Sequence, residues 1–347
     1  MNKDKNCSTR MGIVGGQAVL EGVMMKSGDK VSLAVRTGRG IVIENSTFVS
    51  LRQKHKFCNI PILRGIISFV EQLKLSMDIL TKSADLQEYE TTEEPTKFEK
   101  WLNEKFGDNL VKIAGVIGTF LGLVLAIGLF IMVPTFAAKG IDALTGGAIG
   151  KIPVLRSLIE GVIRIIIFVL YIWLVSFMPD IRRTFEYHGA EHKSVACFEK
   201  GLELTPENAK KCTRFHPRCG TSFVFVMLIL SIIINSFIMI DNTWLRLASK
   251  LITIPLVVGL GFEFIKYAGC HNNIFVRILS APGLAMQRLT TREPDESQLN
   301  VALTALEHAI PEEFGGKTDS ETVIDKYTKL PEKDDSENDT ETNIENS

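Results

Sequence analysis

The chain has 347 residues, a net charge of −1 and 46% apolar residues. So even a charge balance gives no global field for nucleic acid, and the length leaves room for two or three units of ordinary domain size. The apolar residues gather in a few long runs, which argues against a water-soluble chain.

Residues 1–59 read as a small β-rich piece. Its first residues are polar, with no apolar signal-peptide core behind them. Val31 to Arg36 alternates with period two, Gly38-Arg39-Gly40 supplies a turn, and Ile41-Val42-Ile43 resumes the strand pattern. Ahead of it, Gly15, Gly16 and Gly22 bracket Gln17 and Glu21. Spacing alone makes that segment an ordinary glycine-rich turn into a strand. Residues 60–109 read as an amphipathic helix, carrying Arg64, Glu71, Lys74 and Asp78, followed by an acidic linker. Ile60-Pro61-Ile62-Leu63-Arg64 is echoed by Ile152-Pro153-Val154-Leu155-Arg156, with proline suited to a helix start in both places.

Residues 110–265 predict four membrane spans. Ile113–Val133 and Thr221–Ile240 are uncharged and long enough for a hydrocarbon core of about 30 Å. Leu158–Met178 carries Glu160 and Arg164, an i, i+4 pair able to neutralise itself, and Trp244–Phe262 carries Arg246 and Lys250 near its start. The loop 179–220 holds eight Lys and Arg, against Lys139, Lys151 and Arg156 in the preceding loop. The positive-inside rule then places that loop and both termini in the cytoplasm of a multi-pass plasma-membrane protein. There the six cysteines are expected to stay reduced, and most read as plain small apolar residues. Residues 266–310 read as a cytoplasmic C-terminal segment ending in a short amphipathic helix, and 311–347 as a disordered acidic tail. The fold class is a mainly α membrane protein with about four transmembrane helices and a small β-rich cytoplasmic N-terminal piece.

The chemistry lies in the loop 179–220. Tyr187-His188-Gly189-Ala190-Glu191-His192-Lys193 spells H-x-x-E-H, and a helix over about 182–200 puts both imidazoles on one face, one turn apart. Glu191 falls between them in angle, as in the inverted zinc-protease motif. His216-Pro217-Arg218-Cys219 adds an imidazole and a thiol three positions apart. His188, His192 and one of His216 or Cys219 would leave a fourth position for water on a divalent metal, with Glu191 as general base. All four side chains together would make a closed, structural site. Thiolate and imidazole ligands suit zinc. The bland alternative is a solvated helix whose histidines happen to be spaced by four.

These motifs, with the Gly15–Met25 segment and Pro282-Gly283…Gln287…Leu289-Thr290-Thr291…Glu293-Pro294, resemble the YqhQ-like family of bacterial polytopic membrane proteins, catalogued as predicted metal-dependent enzymes. The resemblance runs from about Gly12 to Ile310. It implies a metal site at His188, Glu191, His192, His216 and Cys219, and adds Gln17 and Glu21 as site residues, Glu21 in a catalytic role. Three functions are then open. One is a metal-dependent hydrolase working at the cytoplasmic face. The second is a non-enzymatic protein with structural zinc, whose cytoplasmic β piece and tail bind a protein partner. The third is a transporter using Glu160, Arg164 and Glu263.

Overall fold

A computed structural model describes residues 10–38, 40–88, 109–268, 271, 273–314 and 322–324. The acidic linker, Cys7, Cys270 and most of the acidic tail lie outside them. Four strands form an antiparallel meander: β1 (Val14–Val19), β2 (Gly22–Ser27), β3 (Lys30–Thr37) and β4 (Gly40–Thr47). Two-residue turns fix the register, pairing Val19 with Gly22 and Ser27 with Lys30. Gly28 takes the left-handed conformation at one turn, and Glu21, without glycine's freedom, takes it at the other.

The strand sequences carry apolar residues on both faces because both faces are covered. Val14, Val23, Met25, Ile41 and Ile43 point into one core. Val19, Met24, Val31, Leu33 and Val35 point into the other, with Leu75 and Ile79 of helix α1 (Leu63–Glu88).

The rest is helical: α2 (Asn109–Ile127), α3 (Val133–Leu144), α4 (Pro153–Val175), α5 (Pro179–Glu199), α6 (Pro206–Lys210), α7 (Gly220–Ser236), α8 (Thr243–Ala268), α9 (Ile274–Thr290), α10 (Glu296–Ala309) and α11 (Pro311–Phe314). A π-helical turn, Gly128–Met132, joins α2 to α3 without a break. Among the described residues, three helices are long and apolar enough to cross a membrane: Ile117–Leu144, Pro153–Val175 and Thr243–Ala268. This marks a membrane protein. The remaining expected span is shorter than its apolar run: α7 has 17 residues and stops at Ser236, where Asn235 turns its amide back onto the Ser231 carbonyl at 2.6 Å.

Two expectations about organisation change. The sequence separates 1–59 from 266–310, yet they share one core. Capped by an Asp295–Gln298 capping box, α10 buries Leu299, Val301, Ala302, Leu303, Ala305 and Leu306 against the sheet and α5. Gln298, Asn300, Thr304 and Glu307 are buried with them, so almost the whole circumference of the helix lies inside the core. The acidic tail also contributes structure, because Pro311–Phe314 is helical and Thr322–Ile324 forms β5 beside β4. The backbone of an edge strand can recruit a polar segment through its unpaired groups.

The bundle is held by charge as well as packing. Glu160 (α4) is buried with Arg156 at 3.5 Å, Arg246 at 3.2 Å and the Lys250 ammonium, which also donates to Thr135 Oγ1 at 2.6 Å. Glu263, an intramembrane charge in the transporter reading, makes a bidentate pair with Arg64 of α1. Gly65 and Gly259 bring α1 and α8 close enough for that pair, since an added Cβ on Gly65 would lie 3.0 Å from Gly259. A fully buried carboxylate shared by three cations predicts a large loss on its removal. Glu160→Ala should lower stability by about 3–5 kcal/mol in unfolding measurements in detergent, where an unchanged midpoint would show the cluster to be dispensable.

Candidate metal centre

Pro at the first turn starts α5, and Gly201, with φ +69°, follows its end. The helix packs against the sheet and α10, and every residue from Gly189 to Phe198 is buried. That is why a polar helix carries the apolar run Val195-Ala196-Cys197-Phe198. Burial pushes the Cys197 thiol up to about 11, with Cys212 beside it adding to the shift, so it behaves as a small apolar residue.

His188 and His192 stack one turn apart, with ring centroids 4.4 Å from each other. Each Nδ1 meets a backbone carbonyl: His188 faces Thr290 O at 2.8 Å, and His192 faces Arg214 O at 2.5 Å. A carbonyl only accepts, so each ring carries its proton on Nδ1 and leaves Nε2 with a free lone pair. Cys219, at the N-terminus of α7, brings Sγ to 3.2 Å from His188 Nε2. The ligand atoms of His188, His192 and Cys219 all lie within 4.8 Å of one another. A tetrahedral zinc site with the usual bond lengths needs separations of about 3.3–3.8 Å, so this donor set fits such an ion with small side-chain movements. Carbonyl partners on the non-ligating nitrogens are the arrangement that commonly orients metal-binding imidazoles.

Glu191 is 7% exposed, and its Oε2 lies 3.5 Å from His192 Nε2. Strand β1 makes room for it, because a Cβ on Gly16 would fall 2.7 Å from Glu191 Cγ and 2.9 Å from its Oε1. A cavity of about 490 Å³ opens here, lined by Gly12 to Gly16, Lys26, Gln72, His188, Glu191, His192, His216, Arg218 and Cys219 among others.

The other expected site residues stand differently. The ring of His216 is 5.7 Å from that of His192, but its Nε2 faces Glu199 Oε2 at 3.4 Å and it is outside the three-ligand group. Glu199 also pairs with Arg218 and accepts the Gly12 amide at 3.1 Å. Burial alone would raise the Glu199 pKa, but these partners outweigh it and hold the carboxyl below its ordinary value. Glu21 is not among the cavity residues. Its carboxylate takes both arms of the Arg183 guanidinium and the Tyr187 hydroxyl at 3.1 Å, clamping the β1–β2 turn to α5. Gln17 accepts from Ser76 at 2.5 Å and ties β1 to α1.

Residue spacing gave no hint of Gln287, which is fully buried. It accepts the His216 amide at 2.8 Å and donates to the His216 carbonyl at 2.7 Å and Ser222 Oγ at 3.0 Å. It thereby sets the loop that delivers Cys219. Glu199 was missed as well, since a lone glutamate near a helix end has no distinguishing spacing.

A family model described as "Protein of unknown function (DUF1385)" matches residues 60–312. The chain is 32% identical over 295 residues to the "Uncharacterized protein YqhQ" of Bacillus subtilis (strain 168), over 83% of this chain and 89% of that protein. No solved structure matches.

Because the Glu199 carboxyl is held below its ordinary value, it adds stability above the unfolded carboxylate pKa, about 4.3, and loses it as pH falls through the lower folded value. Thermal unfolding followed from about pH 7 down to 3 should therefore show an acid-side loss of stability that Glu199→Gln reduces. An identical pH profile in the variant would contradict that linkage.

Proposed function

We propose that this chain, which belongs to the family described as "Protein of unknown function (DUF1385)", is a membrane-embedded, metal-dependent hydrolase. The observation that carries the reading is a three-ligand group with a buried carboxylate beside it, in an open cavity. A closed structural site would use a fourth protein ligand, and His216 is instead turned to Glu199.

His188 Nε2, His192 Nε2 and Cys219 Sγ would hold the ion, and a thiolate with two imidazoles favours zinc. Zinc bound there supplies a Lewis acid and makes water ionise near neutral pH. Glu191 accepts the proton of the attacking water and returns it to the leaving group, as its place in the cavity wall allows. The Thr290 and Arg214 carbonyls keep both imidazoles in the tautomer that leaves Nε2 free. Gly16 lets Glu191 approach the cavity without a side chain in the way. The eight Lys and Arg of the loop 179–220 support a site on the cytoplasmic side of the plasma membrane, with both termini on that side.

Metal content by mass spectrometry on detergent-purified protein should give about one zinc per chain, lost in His192→Ala and after chelation, and kept in His216→Ala and Glu191→Gln. In a panel of chromogenic ester, phosphoester and peptide substrates, Glu191→Gln should then lower kcat by about 10²- to 10⁴-fold. Zinc lost in His216→Ala, with Glu191→Gln indistinguishable from wild type, would instead establish a structural ion.

A further inference from the structure

Among the described residues β1 is the outermost strand of the sheet, bonded to β2 on one side and to no other strand. In an antiparallel edge strand, alternate residues point their N–H and C=O groups away from their one neighbour. From Val14 to Ala18, none of the described residues bonds to those outward groups. Proteins usually cover, shorten or charge such an edge. Here it is left bare beside the candidate metal centre.

The cavity of that centre runs along this edge. Gly16 lies on the face toward α5, where its missing Cβ leaves space for Glu191. Lys26, paired with Gly15, and Met24 lie on the opposite face, with α1. Gly16, Glu191, Met24 and Lys26 all line the same cavity. A single cavity reaching both faces of a sheet must pass around its edge, here the first half of β1. The two adjacent glycines then have separate reasons. Gly16 makes way for Glu191, whereas a Cβ on Gly15 would meet nothing within 4 Å and would project into open space.

We propose that an extended polypeptide docks on the outer edge of β1 as an additional strand, which carries one of its peptide bonds to Glu191. The inference rests on the hydrolase reading and names its substrate class. Main-chain hydrogen bonds to the strand provide affinity for any sequence, and side chains alternate to either side of the added strand. The oxygen of water bonds to the peptide carbonyl carbon and the C–N bond breaks. Glu191 carries the proton from the water to the departing nitrogen, so the products are one carboxylate and one amine. A bare strand edge next to a general base suits a substrate whose own backbone offers donors and acceptors in an extended repeat.

The test uses the full-length, zinc-loaded Glu191→Gln protein in detergent, probed with a capped randomised decapeptide mixture. Retained peptides are read by mass spectrometry, and β1 by amide hydrogen exchange. The expected result is that peptides are retained and the amides of 14–18 exchange more slowly. Ala18→Pro in the same background, which removes an outward N–H from the edge and leaves the ladder to β2 intact, should keep its zinc and lower retention about tenfold or more, as for the loss of one or two good hydrogen bonds. Retention without protection of β1, no retention, or full retention in a zinc-loaded Ala18→Pro protein would overturn the inference. If wild type cleaves small ester probes while no peptide is retained, the peptide inference falls and the hydrolase reading stands. If peptides protect β1 but wild type cleaves none, strand docking stands and the hydrolase reading falls.

Discussion

Two backbone carbonyls decide whether the H-x-x-E-H helix can hold a metal. Thr290 O and Arg214 O take the Nδ1 protons of His188 and His192 and so fix which nitrogen of each ring is left to bind. They come from segments 76 residues apart, 290 − 214, and neither is on the helix they orient. Thr290 is in place because the strand-like segment after α9 lies against α5, with the Arg292 amide donating to Phe185 O at 2.9 Å. That approach depends on Gly189, where a Cβ would sit 1.9 Å from Arg292 O. The glycine inside the H-x-x-E-H sequence thus serves the Thr290 contact as directly as the histidines serve the ligand set.

The centre draws on most of the described chain. The helix α5 supplies two imidazoles and the carboxylate, the N-cap of α7 supplies the thiol, and β1 supplies the glycine gap. Gln287 ties the Cys219 loop to α9, and α10 locks α5 to the sheet. On the membrane side the cost of buried charge is met inside the bundle, around Glu160, and at the crossing of α1 with α8 through Arg64 and Glu263. The two charge clusters hold the helices from which the site is hung.

Much of this was legible in the sequence. The H-x-x-E-H periodicity places His188, Glu191 and His192 on one helix face, and the alternation of Val31 to Arg36 gives β3, because both follow from local periods. The motifs also pointed to the YqhQ-like family, to which the chain belongs. Cys219 and His216 could not be told apart as ligands, since three residues of spacing do not say which side chain turns inward; in the structure His216 Nε2 faces Glu199, and Cys219 joins the His188–His192 group. Glu21, a site residue by resemblance, clamps a strained turn, its φ of +48° held by Arg183 and Tyr187. Burial first, and then the Glu21 charge, push the Tyr187 phenol above its ordinary range, as suits a donor that stays protonated. The union of the N-terminal sheet with α10 was hidden because neither segment's pattern identifies its partner.

The central claim is a three-ligand site with an open position beside Glu191, and X-ray absorption at the zinc edge of the metal-loaded, full-length protein tests it most directly. The account predicts one sulfur at about 2.3 Å, two imidazole nitrogens and one further light atom at about 2.0–2.1 Å. A third imidazole in the coordination sphere would make His216 a ligand and close the site, and a zinc bound without sulfur would remove Cys219 from it; either result contradicts the account.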